Sequence, residues 1–179
     1  LDVWVKVFTA RKDWLAERGI RYMVLVAPNK ANIYPEHIPA RFNRANETTK
    51  LDQMVRALGA AGVEVVDLRP ALTRAKALRL SYYRTDSHWT PYGAFQAYRL
   101  LAERLGRHFP GLTPLSLDDF EISEKPGLLG GLCYMIAMGD YYRENIVVMD
   151  PKYRRTFQEV TGSESQLNHF QPLGLYENE

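Results

Sequence analysis

Apolar side chains at Val3, Val7, Trp14 and Leu15 alternate with charged residues at the spacing of an amphipathic helix, which Gly19 stops. The run IRYMVLVAP that follows is apolar and rich in β-branched residues, and it predicts a buried strand ended by Pro28. From Asn29 to Thr48 the pattern dissolves, and a loop is expected. Leu51, Met54, Val55 and Leu58 then return at helical spacing until Gly59 and Gly62. VEVVDL, Val63 to Leu68, predicts a second short strand. PALTRAKAL, with Pro70 near its first turn, predicts a second short helix after it. Further on, Thr90 is a good N-cap and Pro91 suits the first helical position. Ala94, Ala97, Tyr98, Leu101 and Leu105 line one face of the helix they open. Beyond Pro110 the periodicity weakens. Strands are expected around Glu121 and Val147, with a glycine-rich apolar turn between them.

Strand, helix, strand and helix in short succession predict an α/β fold, a mostly parallel sheet flanked by helices. We expect one domain over 1–179, with an α/β core over 1–109 and an irregular, β-rich extension over 110–179. No internal repeat or low-complexity tract interrupts it. In open sheets of this kind ligands sit beyond the carboxyl ends of the strands, which draws attention to the segments after Val26 and Leu68. The chain opens LDVWVKVF, already in a helical pattern, and ends LYENE without a closing element. It is therefore expected to be incomplete at both ends.

Composition narrows the classes only a little. The 23 basic and 21 acidic residues leave a net charge of +2, and no block of like charges argues for nucleic acid as a partner. Cys133 stands alone, which excludes an intrachain disulfide and a thiolate metal cluster. No apolar run approaches the roughly 18 residues of a membrane span.

The densest chemistry lies in YYRTDSHWTPYGAF, Tyr82 to Phe95. Asp86 and His88 are two residues apart, just before a helix, so both side chains share one rim. Three readings follow. His88 is a general base oriented by Asp86; or both are metal ligands; or Thr85, Asp86 and Ser87 cap the helix and carry no chemistry. The metal reading lacks further ligands. His37, His108 and His169 are scattered, and Gly139-Asp140 has no companion Asn-His element, so no metal is expected.

The string YYRTDSHWTPYGAFQAYRLLAERL closely resembles the segment carrying the catalytic Asp and His in periplasmic alginate O-acetyltransferases of the AlgJ/AlgX type. VLVAPNKANIYPEHIP is similar to an earlier segment of the same family. The resemblance runs from about Trp4 to Leu105 and rests on Pro-Asn-Lys, Ile-Tyr-Pro-Glu and Thr-Asp-x-His-Trp-Thr in that order. It implies an SGNH-hydrolase-like (flavodoxin-like) fold, and acetyl transfer to a polysaccharide through an acyl-serine, without a cofactor. His88 is then the base that activates a serine and Asp86 orients it. Asn29, at the strand-end loop, is a candidate oxyanion or substrate contact. Tyr82 and Arg84 are candidates to face a sugar, and Trp89 to fix the rim of the site or to pack under the helix. The resemblance further implies a periplasmic location and an acetyl donor supplied by a membrane-bound O-acyltransferase.

Two features depart from the family pattern. Its serine follows the Asp-x-His segment in a short Asp-Ser-Phe-type motif after a strand. Ser81, Ser87, Ser116, Ser123, Ser163 and Ser165 all lack that setting, although Ser163 and Ser165 come in the right order. The nucleophile is therefore expected beyond residue 179. In GLLGGLCYMIAMG, Gly131 stands where the family tends to place an acidic residue. Two other functions remain open: a carbohydrate esterase of the same fold, and a non-catalytic carbohydrate-binding or scaffold module that uses the chain's 11 tyrosines and 3 tryptophans.

Overall fold

The computed structural model describes residues 1–42, 48–127, 130–153, 157–160 and 175–178. Its centre is a parallel pair of strands, β1 (Met23–Val26) and β2 (Glu64–Asp67), in register from Met23 opposite Glu64 to Val26 opposite Asp67. Their side chains alternate between two faces, and each face has its own apolar cluster. On one side Val24, Val63 and Leu58 are buried, with Val65 and Met54 packed on them. On the other, Val66 joins Ile33, Tyr34, Leu68, Leu72, Tyr82 and Ala97.

Helix α1 (Asp2–Ala16) covers the first face together with α3 (Lys50–Ala60). The helix is where the pattern predicted it, but its inward stripe is different. Val5 and Phe8 pack on the core, and the Phe8 ring lies 6.4 Å from that of Tyr22. Val3, Val7 and Trp14 stay exposed, and the Trp14 ring is covered by the Arg18 guanidinium at 3.8 Å. Apolar residues at positions 3, 4, 5, 7 and 8 nearly encircle the helix, so periodicity alone offers more than one stripe. The capping box of α3 is complete. Thr49 Oγ1 accepts from the Asp52 N–H at 3.1 Å, and Asp52 accepts from the Thr49 N–H at 2.8 Å.

The segment after β1, expected as a loop, folds into α2 (Lys30–Ile33) and then 3₁₀ turns at Pro35–His37 and Ala40–Phe42. Single turns are too short to leave a periodic signature, yet this stretch buries Ile33 and Tyr34. Helix α4 (Arg69–Ala75) begins directly after β2. Asp67 and Asp52 both bind the Arg69 guanidinium, at 2.7 and 2.5 Å, and so tie α3, β2 and α4 together. Helix α5 (Pro91–Gly106) starts as predicted, with Thr90 Oγ1 accepting from the Gly93 N–H at 3.1 Å.

The later strands pair antiparallel. β3 (Phe120–Lys125) runs against β4 (Ile146–Pro151), where strands were expected, and helix α6 (Gly131–Met135) occupies part of the glycine-rich turn between them. β5 (Phe157–Val160) pairs with β6 (Leu175–Asn178), which no sequence signal foretold. The Phe120 ring meets Phe95 of α5 edge to face at 5.2 Å and docks the β3–β4 pair on that helix.

Candidate active site

Between α4 and α5 the chain turns back on itself. Thr90 N–H donates to the Ser81 carbonyl at 3.0 Å, Tyr82 bridges to Trp89, and Tyr83 N–H donates to the His88 carbonyl at 3.2 Å. The result is a small hairpin with Arg84 to Ser87 at its tip. Its base is pinned by buried polar groups that all find partners. Ser81 N–H donates to the Tyr34 hydroxyl at 2.9 Å, and Ser81 Oγ to the Leu72 carbonyl at 3.1 Å. Thr90 Oγ1 donates to the Leu80 carbonyl at 2.7 Å. The hairpin presses so close to α5 that a Cβ on Gly93 would lie 2.1 Å from the Ser81 oxygen. The Tyr82 hydroxyl donates to the Pro28 carbonyl at 2.5 Å, which fastens the hairpin to the carboxyl end of β1. The tip thus stands where ligands bind in such sheets.

At that tip Asp86 Oδ1 lies 2.5 Å from His88 Nδ1 and accepts the His88 N–H at 2.8 Å, while Oδ2 accepts the Gly131 N–H at 2.8 Å. The aspartate side chain is only 16% exposed and the histidine 82%. Burial alone would raise the Asp86 pKa. The N–H groups of Gly131 and His88, and then the His88 ring, outweigh it and hold the carboxyl down at about 2. Asp86 is therefore ionised at neutral pH and can only accept. A neutral His88 ring consequently carries its proton on Nδ1 and leaves the Nε2 lone pair for the open side. Such a pair can take a proton from a hydroxyl and hold the resulting imidazolium.

Further contacts converge on the hairpin from distant parts of the chain. Lys30 Nζ donates to the carbonyls of Arg84 and Asp86, at 2.9 and 3.1 Å. Burial lowers the Lys30 pKa, and the charges of Glu144 and Asp86 work against that. Glu144 accepts the N–H groups of Arg84 and Thr85 at 2.8 and 2.7 Å, and the Thr85 hydroxyl as well. Leu132 N–H donates to the Thr85 carbonyl at 3.0 Å. Gly130 sits against that same carbonyl, whose oxygen would be 2.1 Å from an added Cβ.

The other residues singled out from the sequence fare differently. Tyr82 is buried and holds its proton, its pKa raised to about 12 by burial and by Tyr34; it is a core anchor and does not face a sugar. Trp89 is half-buried and packs on the core beneath α5. Asn29 is exposed and opens α2 without a side-chain capping bond, in a shallow groove with Asn32 and Thr49. The Arg84 side chain is exposed and lines a polar groove with Lys76, Arg79, Tyr83 and Arg143. Ser81 is committed to the core, Ser116 caps a 3₁₀ turn and Ser123 lies in β3. Among the described residues, no serine is hydrogen-bonded to the His88 ring. Ser163 and Ser165 lie outside the described residues.

Comparison with known proteins bears on the family and the fold. A family model for an SGNH hydrolase-like domain, acetyltransferase AlgX, matches residues 5–167. The probable alginate O-acetylase AlgJ of Pseudomonas aeruginosa is 34% identical over 105 residues, 59% of this chain and 26% of that protein. The alginate biosynthesis protein AlgX of the same species is 28% identical over 127 residues, 69% of this chain and 26% of that protein. The chain thus spans about a quarter of the length of the curated relatives it matches. Among solved structures, the O-acetyltransferase domain of Pseudomonas putida AlgJ superposes with a TM-score of 0.57 at 24% identity, over 82% of this chain and 54% of that one. Bacillus cereus PatB1, solved with a sulfonyl adduct, gives 0.62 at 15% identity, over 83% and 47%. Both share the fold. With residues 5–167 of its 179 matched by the family model, the chain belongs to the SGNH hydrolase-like AlgX acetyltransferase domain family.

Proposed function

We propose that this chain supplies the acid–base pair of a polysaccharide O-acetyltransferase. The observation that carries the reading is the ionised Asp86 carboxylate 2.5 Å from His88 Nδ1, on a ring whose side chain is 82% exposed. In the first half-reaction His88 Nε2 takes the proton of a serine hydroxyl as the oxygen attacks the acetyl carbonyl of the donor. The tetrahedral adduct collapses, the donor's leaving group departs with the proton from His88, and an acetyl-serine remains. In the second, His88 takes the proton of a sugar hydroxyl, which attacks the acetyl-serine. The serine leaves with that proton, and the acetyl ester now sits on the polymer. Asp86 stays ionised throughout and balances the imidazolium in each step.

The names of the relatives point to alginate as their polymer, and a carboxylated sugar suits the groove beside the hairpin, where Lys76, Arg79, Arg84 and Arg143 outnumber the carboxylates of Glu124 and Glu144. The chain's length is that of a single domain, and the rest of the reading follows the family: a periplasmic setting, and an acetyl donor delivered by a membrane-bound O-acyltransferase. The test is acetyl gain. Full-length protein incubated with an activated aryl acetate and deacetylated alginate is expected to leave ester-linked acetyl on the polymer, measured by NMR of the recovered polysaccharide. Net loss of acetyl from a pre-acetylated polymer, with no gain, would make the protein an esterase instead.

A further inference from the structure

We propose that Glu144 is a positioning residue that fixes the Asp86–His88 pair by holding the backbone of Arg84 and Thr85. The inference rests on the catalytic reading of that pair and adds a residue to it.

The hairpin tip has little of its own to hold it. The ladder ends at the Tyr83–His88 bond, so Arg84 to Ser87 make none of its bonds, and the His88 side chain is open to water. A catalytic side chain on such a tip would wander unless its peptides were anchored from outside. Glu144 provides that anchor. One oxygen accepts the Arg84 N–H at 2.8 Å, and the other accepts the Thr85 N–H at 2.7 Å together with the Thr85 hydroxyl. Charge-assisted bonds of this kind are about twice as strong as neutral ones. Glu144 stands two residues before β4, where its own carbonyl is packed against Gly127, 2.8 Å from the position of an added Cβ. The anchor is thus built on the end of a paired strand.

Opposite, Lys30 Nζ binds the carbonyls of Arg84 and Asp86, so one short stretch has its N–H groups on a carboxylate and its carbonyls on an ammonium. The Lys30 cation also offsets the repulsion between the Glu144 and Asp86 carboxylates. With the peptides clamped from both sides, the Asp86 side chain meets Gly131 N–H and the His88 ring together. Glu144 makes its bonds to Arg84 and Thr85 and none to His88, so its effect passes through the backbone.

The ring nitrogens of His88 read this out directly. At a pH where the ring is neutral, long-range ¹H–¹⁵N correlation spectra of the wild type are expected to show one tautomer, with the proton on Nδ1. Glu144→Ala should give ring shifts averaged toward the tautomer mixture of free imidazole. Glu144→Gln, which keeps one acceptor oxygen, should lie between. Thr85→Val, which removes only the hydroxyl donor, should move the shifts a smaller way in the same direction, and it decides the matter if Glu144→Ala does not fold. In the full-length protein, Glu144→Ala should lower kcat by about 10²-fold with KM changed by less than about twofold. Wild-type ring shifts in folded Glu144→Ala, or in Thr85→Val should the former not fold, would overturn the proposal. The ring shifts do not depend on turnover, whereas full activity in His88→Ala would remove the catalytic reading, so the two failures are told apart.

Discussion

Asp86 shows how one carboxylate is made reliable without deep burial. Two backbone N–H groups and an imidazole share its two oxygens, and together they overcome the cost of partial burial. The consequence for stability has a definite sign. A carboxyl whose pKa is lowered in the folded state, here from 3.8 to about 2, stabilises the fold fully above 3.8 and loses that contribution as pH falls through about 2. Urea midpoints for wild type and Asp86→Asn, measured across that window, should therefore differ most above 3.8 and converge toward 2. A difference that does not change with pH would contradict the hydrogen-bonded carboxylate described here. This pair was legible in the sequence because its members are two residues apart, close enough for spacing to imply contact. Gly131, Lys30 and Glu144 reach the same hairpin from 45, 56 and 59 residues away, and no local pattern announces them. Gly131 had drawn notice only for an absent acidic side chain, yet its backbone N–H is what Asp86 uses. Tyr82 misled for a related reason. A tyrosine before a polar turn reads as a surface group until its hydroxyl is seen to end on Pro28.

Among the elements, α5 and the hairpin form one unit. Thr90 caps the helix and closes the hairpin with the same side chain, accepting from Gly93 N–H and donating to the Leu80 carbonyl. Gly93 is required by space alone. A Cβ there would meet the Ser81 oxygen at 2.1 Å, far inside contact distance, and both partners are backbone or nearly so. Gly93→Ala should therefore destabilise the protein by about 1–3 kcal/mol, as overpacked cores do, even though alanine favours helix by about 1 kcal/mol over glycine. A thermal melt settles it, and a melting temperature equal to or above that of wild type would refute the close approach. The start of α5 was readable because Thr-Pro is a local signal with a mechanism. The inward stripe of α1 was not, because its first turns are apolar nearly all round and only the neighbouring Tyr22 decides which side packs. The turns over 30–42 leave no periodic pattern in the sequence because none is long enough to repeat.

At the scale of the molecule, a parallel pair of strands with helices on both faces delivers the hairpin to its carboxyl edge, and α6 together with Glu144, just before β4, holds it from the later part of the chain. That alternation of strands and helices could be read from the sequence. The docking of the β3–β4 pair could not, since it depends on contacts such as Phe95 with Phe120 and Glu144 with Thr85. The arrangement makes sense as a platform for one exposed imidazole with a fixed tautomer, and the central claim is that this imidazole is the general base of acyl transfer. The most direct measurement is the rate of acetate release from an activated aryl acetate by the full-length protein and its His88→Ala variant, with circular dichroism to confirm equal folding. A general base contributes about 10²–10⁴-fold, and the variant should fall by at least the lower figure with KM little changed. His88→Ala retaining wild-type turnover would contradict the account.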